Sequence, residues 1–326
     1  MGKSSFERVV GNVSDVEKEK ILHEMDEQFD DQEFRDLVGK EREKTSEELQ
    51  IIQLANRATN EVRRKYGLRD FEVPAENIHV IKEDEWPKRW RGSAEYAARL
   101  QGVAMREEHS NIAFSQKTVH EMLHFKSYNA LQVIGSEHPQ MDDYRVGLTV
   151  NTRDGKVRYF TNLNEAVTEE MTKEIVFRIK DDVLFEKEVE QTLALADRYP
   201  NMVTADGKKL FNNDTYYAEF MDKETVRDVI GRFFGTERSR TVASHEFSYK
   251  RERRILSVLI DKLFERNPKE FHEPDEVMDI FREGMMTGNL LRLGKLIDGT
   301  FGAGTLRRIG ELDSDIEAQK EFVNLL

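Results

Sequence analysis

Cysteine is absent from the 326 residues, which excludes a disulfide framework and any thiolate metal site. Long apolar runs are missing too; none approaches the roughly 18 residues of a membrane-spanning helix. The opening "MGKSSFERVV" leads into charged sequence without the apolar core of a secretory signal, and Phe6 stands where a myristoylation pattern needs Ser or Thr. Positive charge is in deficit: the formal net charge is −13, which argues against a nucleic-acid partner bound through a general basic surface, though a local basic patch stays open. Internal repeats and low-complexity tracts are lacking. The expectation is a soluble cytoplasmic protein with no membrane and no nucleic acid among its partners.

What is present is enough for a globular fold, with 38% hydrophobic and 35% charged residues. Residues 1–44 form an acidic arm in which Ile21, Leu22, Met25 and Phe29 recur at helical spacing. It reads either as a prosegment or partner-binding helix, or as a loosely attached arm. Residues 45–180 alternate helix and strand signals. "SEELQIIQLANRATNEVRRKYG" predicts a helix capped by Ser46, with an apolar stripe of Leu49, Ile52, Leu54, Ala55 and Val62, ending at Gly67. "NIHVIKED" predicts a strand, and "ARLQGVAMREEHSNIAFSQ" two more, the last being an edge strand "NIAFSQ". A helix "KTVHEMLHFKSYNALQV" follows, with Ser115 as its cap. Next come "YRVGLTVNTRDGKVRYF", a hairpin around Asp154-Gly155, and a helix "NLNEAVTEEMTKEIVFRIK". The order predicts an α+β fold rather than a doubly wound sheet. Beyond residue 181 strand signals fade, and stretches such as "KETVRDVIGRFF" and "RRILSVLIDKLF" predict an all-helical unit over 181–326.

Chemistry concentrates in "TVHEMLHFKS". On a helix, residues four apart share a face; with Val119 at zero, His120 falls near about 100° and His124 near about 140°. Val119, Leu123 and Ala130 gather on a second face that can anchor the helix. Glu121 lies near about 200°, offset from the pair, where its carboxylate reaches a metal-borne water rather than the metal. Two imidazoles alone are equally the mark of polar residues on a half-buried helix, and a third ligand is needed. Glu165 and Glu169 in "NLNEAVTEEMT" lie one turn apart on the next helix and supply carboxylates, although Glu165 could instead serve the helix dipole and Glu169 could be a surface residue.

His120-Glu121-x-x-His124 followed by Asn164-Glu165-x-x-x-Glu169 resembles the gluzincin class of zinc metallopeptidases, the thermolysin-like arrangement, and its compact minimal members in particular. The resemblance covers about residues 45–180 and rests on two short motifs and element order. It implies a zincin-like domain in which His120, His124 and Glu165 hold Zn2+, Glu121 is the catalytic base, and Glu169 braces His120 from behind. Glu169 replaces the aspartate of thermolysin, one methylene shorter. Such a site hydrolyses a peptide or protein amide bond, with one zinc position open for water. An oxyanion donor is also needed, for which Tyr144, Tyr159 and His245 are candidates by position. The other reading is a zincin-like regulatory or adaptor protein that works through its helical half.

Other features carry less. "GTFGAGT" lacks the Lys-Ser/Thr of a phosphate loop, "YKRERR" reads as a solvated first turn, Trp86 and Trp90 as core anchors, and His138 as a turn residue.

Overall fold

The computed structural model describes residues 6–11, 14–23, 32–88, 92–134, 140–198, 214–221 and 241–326. The expected helix over 223–234 lies outside the described residues, as do Met25, Phe29, Trp90 and His138. The chain opens with β1 (Phe6–Val10), α1 (Asp15–His23), α2 (Gln32–Val38) and α3 (Ser46–Lys65). Strands β2 (Ile78–Ile81), β3 (Ala94–Ala97) and β4 (Gly102–Arg106) lead to α4 (Asn111–Lys126), which carries both histidines. Strands β5 (Asn129–Ile134), β6 (Gln140–Val146), β7 (Thr149–Asn151) and β8 (Arg158–Tyr159) precede α5 (Thr161–Ile179), which carries both glutamates. There follow α6 (Glu186–Arg198), β9 (Thr215–Met221), β10 (Thr241–Glu246) and α7 (Lys250–Arg266). The chain closes with α8 (Pro274–Thr287), α9 (Leu290–Phe301), α10 (Thr305–Glu311) and α11 (Ile316–Leu325).

The fold is mixed, with small sheets and many helices, as an α+β reading requires. One sheet runs β1-β5-β6-β7-β8, with β1 parallel to β5 and the rest antiparallel. A second runs β2-β4-β3, parallel then antiparallel, leaving β3 at an edge. Strands β9 and β10 form a third, antiparallel pair, so the chain beyond residue 181 is not all helical. Tyr217 and Ala218 are buried there, and Thr192 of α6 accepts from the Ala218 amide at 3.2 Å. No helix among the described residues is long and apolar enough to cross a membrane.

Capping decides where the key helices begin. Thr45, not Ser46, caps α3: it accepts from the Glu48 amide while the Glu48 carboxylate accepts from the Thr45 amide, a reciprocal capping box. The stripe that α3 buries is Ile51, Ile52, Ala55 and Ala58, whereas Leu49 is 39% exposed. The stretch "NIAFSQ" is no edge strand but the start of α4. Ser110 caps that helix by accepting from the Ala113 amide. The Glu188 carboxylate of α6 accepts from the Asn111 and Ile112 amides at 2.7 and 2.9 Å, so a distant residue satisfies the free donors of the first turn. Nearly every residue of α4 is buried, and a helix enclosed on all sides shows no amphipathic signature.

The expected hairpin is cut into shorter pieces. Val146 ends β6, Gly147 turns with φ +57°, and β7 starts at Thr149; Gly155, with φ +69°, then lies between β7 and β8. Within the arm, β1 lies on β5, and Phe6, Val9 and Ile21 are buried, while most of the described α1 side chains are exposed. Arg42 binds both Glu48 and Glu107 at 2.9 Å. One hydrophobic core runs through both halves, from Ile51 of α3 through Met122 and Val167 to Leu259, Phe281 and Val323.

Candidate metal centre

Helices α4 and α5 pack face to face through Val119, Met122 and Leu123 on one side and Ala166, Val167 and Met171 on the other, all in one core cluster. The adjoining side of α4 brings His120 and His124 to Glu165 of the same neighbouring helix. His120 Nε2 and His124 Nε2 are 3.1 Å apart, and Glu165 Oε2 is 3.3 Å from the first and 3.4 Å from the second. Three acceptor-capable atoms at such spacing repel one another unless a cation or proton lies between them. A tetrahedral ion with bonds of about 2.0–2.1 Å spans roughly 3.3 Å between ligand atoms. The triangle therefore fits a small divalent metal, and among the described residues it is the one group of three or more His, Asp or Glu side chains with that spacing.

Behind His120 lies Glu169, with 0% exposure. Its carboxylate accepts from His120 Nδ1 at 2.7 Å, from Gln116 Nε2 at 3.2 Å and from the Ser248 amide at 2.5 Å. Held so, Nδ1 keeps its proton and Nε2 presents a lone pair toward Glu165. The extra methylene of glutamate is accommodated by this three-donor cradle. Asn164 accepts from the Leu148 amide at 2.8 Å, and its side-chain nitrogen is 3.4 Å from His124 Nδ1. Only glycine allows that approach: a Cβ on Gly147 would stand 2.4 Å from Asn164 Oδ1.

The electrostatics favour a positive charge at the triangle. Burial works against charge on Glu165, yet the His124 and His120 rings hold its carboxyl far below the usual carboxylate range. For His120, burial opposes the cation but the hydrogen bonds to Glu165 and Glu169 outweigh it, so its pKa is well raised. Glu121 moves the other way. Burial lifts its pKa, the two histidines pull it down, and the net direction is upward, toward the range of a general base working near neutrality.

The helix N-termini that carry these groups are tied to the C-terminal half. Helix α5 has Phe160 at its N-cap, left-handed at φ +65° and without a side-chain cap. Asp313 substitutes, accepting from the Thr161 and Asn162 amides at 2.5 and 3.1 Å. Tyr249, at the N-cap of α7, also lines the site, and no sequence signal marked it. Its ring stacks on His120, 5.7 Å between centroids and 12° between planes. Burial, then the charges of Glu165 and Glu121, push its phenol well above the ordinary range, so it stays a donor. Its backbone is left-handed, φ +54°. A tyrosine at the head of a basic helix gave no local signal.

The other candidates lie elsewhere. Tyr144 packs under Arg153, whose guanidinium carbon is 4.5 Å from its ring centroid. Tyr159 neighbours Phe160 at 6.4 Å, and His245 on β10 pairs with Glu219 at 2.9 Å. None of the three lines the cavity at the triad. That cavity, about 250 Å³, is walled by His120, Glu121, His124, Glu165 and Tyr249, by the β3 edge at Ala94, Glu95 and Tyr96, and by the sheet residues Asp143, Thr149 and Asn151. No described residue of the arm reaches it. Trp86 is buried, and its indole donates to the Gly92 carbonyl at 3.1 Å. Compared with known proteins, the chain matches no family model, no curated protein and no solved structure.

Proposed function

We propose that the protein is a zinc-dependent metallopeptidase on the gluzincin plan, acting in the cytoplasm on a peptide or protein amide bond. The observation that carries this reading is the triangle of His120 Nε2, His124 Nε2 and Glu165 Oε2, with sides of 3.1, 3.3 and 3.4 Å, opening on a cavity that Glu121 also lines. Two imidazoles and one carboxylate form the donor set of catalytic zinc sites that keep a fourth position free. A zinc ion held there would supply Lewis acidity, polarising the substrate carbonyl and making a water acidic enough to ionise near neutral pH.

The remaining work falls to the chain. Glu121, with its raised pKa, takes the proton of the attacking water as the new C–O bond forms. It returns that proton to the amine nitrogen as the C–N bond breaks. Tyr249 lines the same cavity and keeps its phenol protonated, which suits it to donate to the oxyanion. Glu169 fixes the His120 ring through Nδ1. Strand β3, paired with β4, walls the same cavity at Ala94, Glu95 and Tyr96.

The test is the Glu121→Gln protein. It should bind one equivalent of zinc and hydrolyse nothing, whereas His120→Ala should lose both metal and turnover. Retained hydrolysis in Glu121→Gln rejects the mechanism. A freshly purified wild-type protein that takes up no zinc favours the adaptor reading instead.

A further inference from the structure

Arg145, near the end of β6, lines the cavity and is 8% exposed. Among the described residues no carboxylate pairs with it. Its guanidinium instead donates to three main-chain carbonyls: Nε to Gly147 at 2.7 Å, Nη1 to Gly288 at 2.6 Å and Nη2 to Gly284 at 3.1 Å. The Tyr128 ring lies against it, its centroid 4.9 Å from the guanidinium carbon. Burial lowers the pKa of Arg145 to about 10, still far above neutrality, so the group stays a cation. A buried cation without a counter-charge is costly. Here the compensation comes from the last carbonyls of α8, at the negative end of a helix dipole.

The three carbonyls belong to two separate pieces of chain. Gly284 and Gly288 stand at the end of α8, and Gly147 makes the turn between β6 and β7. Main-chain bonds join the same two pieces through Tyr128, whose amide donates to the Met285 carbonyl at 3.0 Å and whose carbonyl accepts from the Gly147 amide at 2.8 Å. The packing is close, for a Cβ on Gly288 would stand 2.6 Å from the Tyr128 ring. The turn held in this way delivers the Leu148 amide to Asn164 Oδ1 at 2.8 Å. With its oxygen so committed, Asn164 places its side-chain nitrogen 3.4 Å from His124 Nδ1. Asn164 also directly precedes Glu165 on α5. One side chain therefore abuts one candidate ligand and adjoins another.

We propose that Arg145 is a positioning residue of the metal centre: it clamps the β6–β7 turn to the end of α8 and, through Asn164, holds His124 and Glu165 at their spacing. The proposal rests on the metal-binding part of the peptidase reading and needs no particular substrate. Lysine in the same place would keep the charge, but its compact ammonium cannot match a planar fork that reaches three separated carbonyls.

Zinc affinity, measured by competition with a chelating dye, should fall about tenfold in Arg145→Lys, the low end of the loss when a group bracing a metal ligand is removed. In an Asn164→Ala background the same substitution should cost less than about twofold, because its route to the ligands is already cut. In the wild type, nitrogen-15 NMR follows exchange of the Arg145 Nε proton with solvent. By reciprocity zinc should slow that exchange about tenfold. A general loss of stability would lower the urea midpoint and leave these three results unmoved. Unchanged zinc affinity in Arg145→Lys, a full additive loss in the Asn164→Ala background, or exchange indifferent to zinc overturns the proposal. If Arg145→Lys does not fold, the wild-type exchange measurement decides alone. A wild type that takes up no zinc removes the metal centre and this proposal together, whereas a zinc-binding wild type with any of the three overturning results removes only the role of Arg145.

Discussion

Replacing Asp143 with asparagine should make this protein more stable at neutral pH. Burial raises the Asp143 carboxyl from its ordinary 3.8 to about 6, against the opposing pull of Arg99 and Arg158 and with a push from Asp142. A carboxyl that holds its proton more tightly when folded stabilises the fold fully below its unfolded pKa and loses that contribution as pH rises through the folded value. The window is therefore about pH 4 to 6, and above it the ionised group weighs against folding. The gap corresponds to about 3 kcal/mol; the side chain is part-exposed, so solvent reduces the expected gain to about 1–2 kcal/mol. Urea denaturation of both proteins from pH 3.5 to 8 measures it. The curves should coincide near pH 4 and separate steadily, with the asparagine variant the more stable by pH 7. Coincident midpoints across the range, or a less stable variant at pH 7, would refute the reasoning.

Three further outcomes follow from the site. Glu169→Gln puts an NH2 group where three donors converge, and zinc affinity measured by competition with a chelating dye should drop about 10–100-fold. Tyr249→Phe keeps the ring that stacks on His120 and removes the phenol; kcat should fall about 10²–10³-fold with zinc content unchanged, and an unchanged kcat removes Tyr249 from the chemistry. Asp313→Ala strips the first turn of α5 of its acceptor and should lower the unfolding free energy by about 1–2 kcal/mol in urea melts.

The sequence disclosed the two helices that bear the triad because a His pair on one and a Glu pair on the other recur at four-residue spacing, a local property. Their starts were legible only in part. The sequence points to Ser115 as the cap, but Ser110 takes that place, where Glu188, far along the chain, also binds the Asn111 and Ile112 amides. The aromatic and β-branched content of "NIAFSQ" suggested a strand, but those side chains lie in a helix buried on nearly all sides, where strand propensity is overridden. Strand β3 went unread because Ala94–Ala97 is short and two of its four residues are alanine. Tyr249 was invisible for another reason. It reaches His120 only through the return of the chain after β10, a long-range contact with no periodicity of its own.

The reach of Ser248 to α5 and of Tyr249 to α4 has a bearing on how the molecule could be divided. All three candidate ligands precede residue 180, yet the amide that steadies Glu169 and the ring that covers His120 come from beyond it. A fragment cut at that boundary would own every ligand and still present them loosely, its imidazole free to swing and its outer carboxylate short of a donor. Grafting the front half onto a foreign partner would meet the same obstacle, so the two halves are bound to change together.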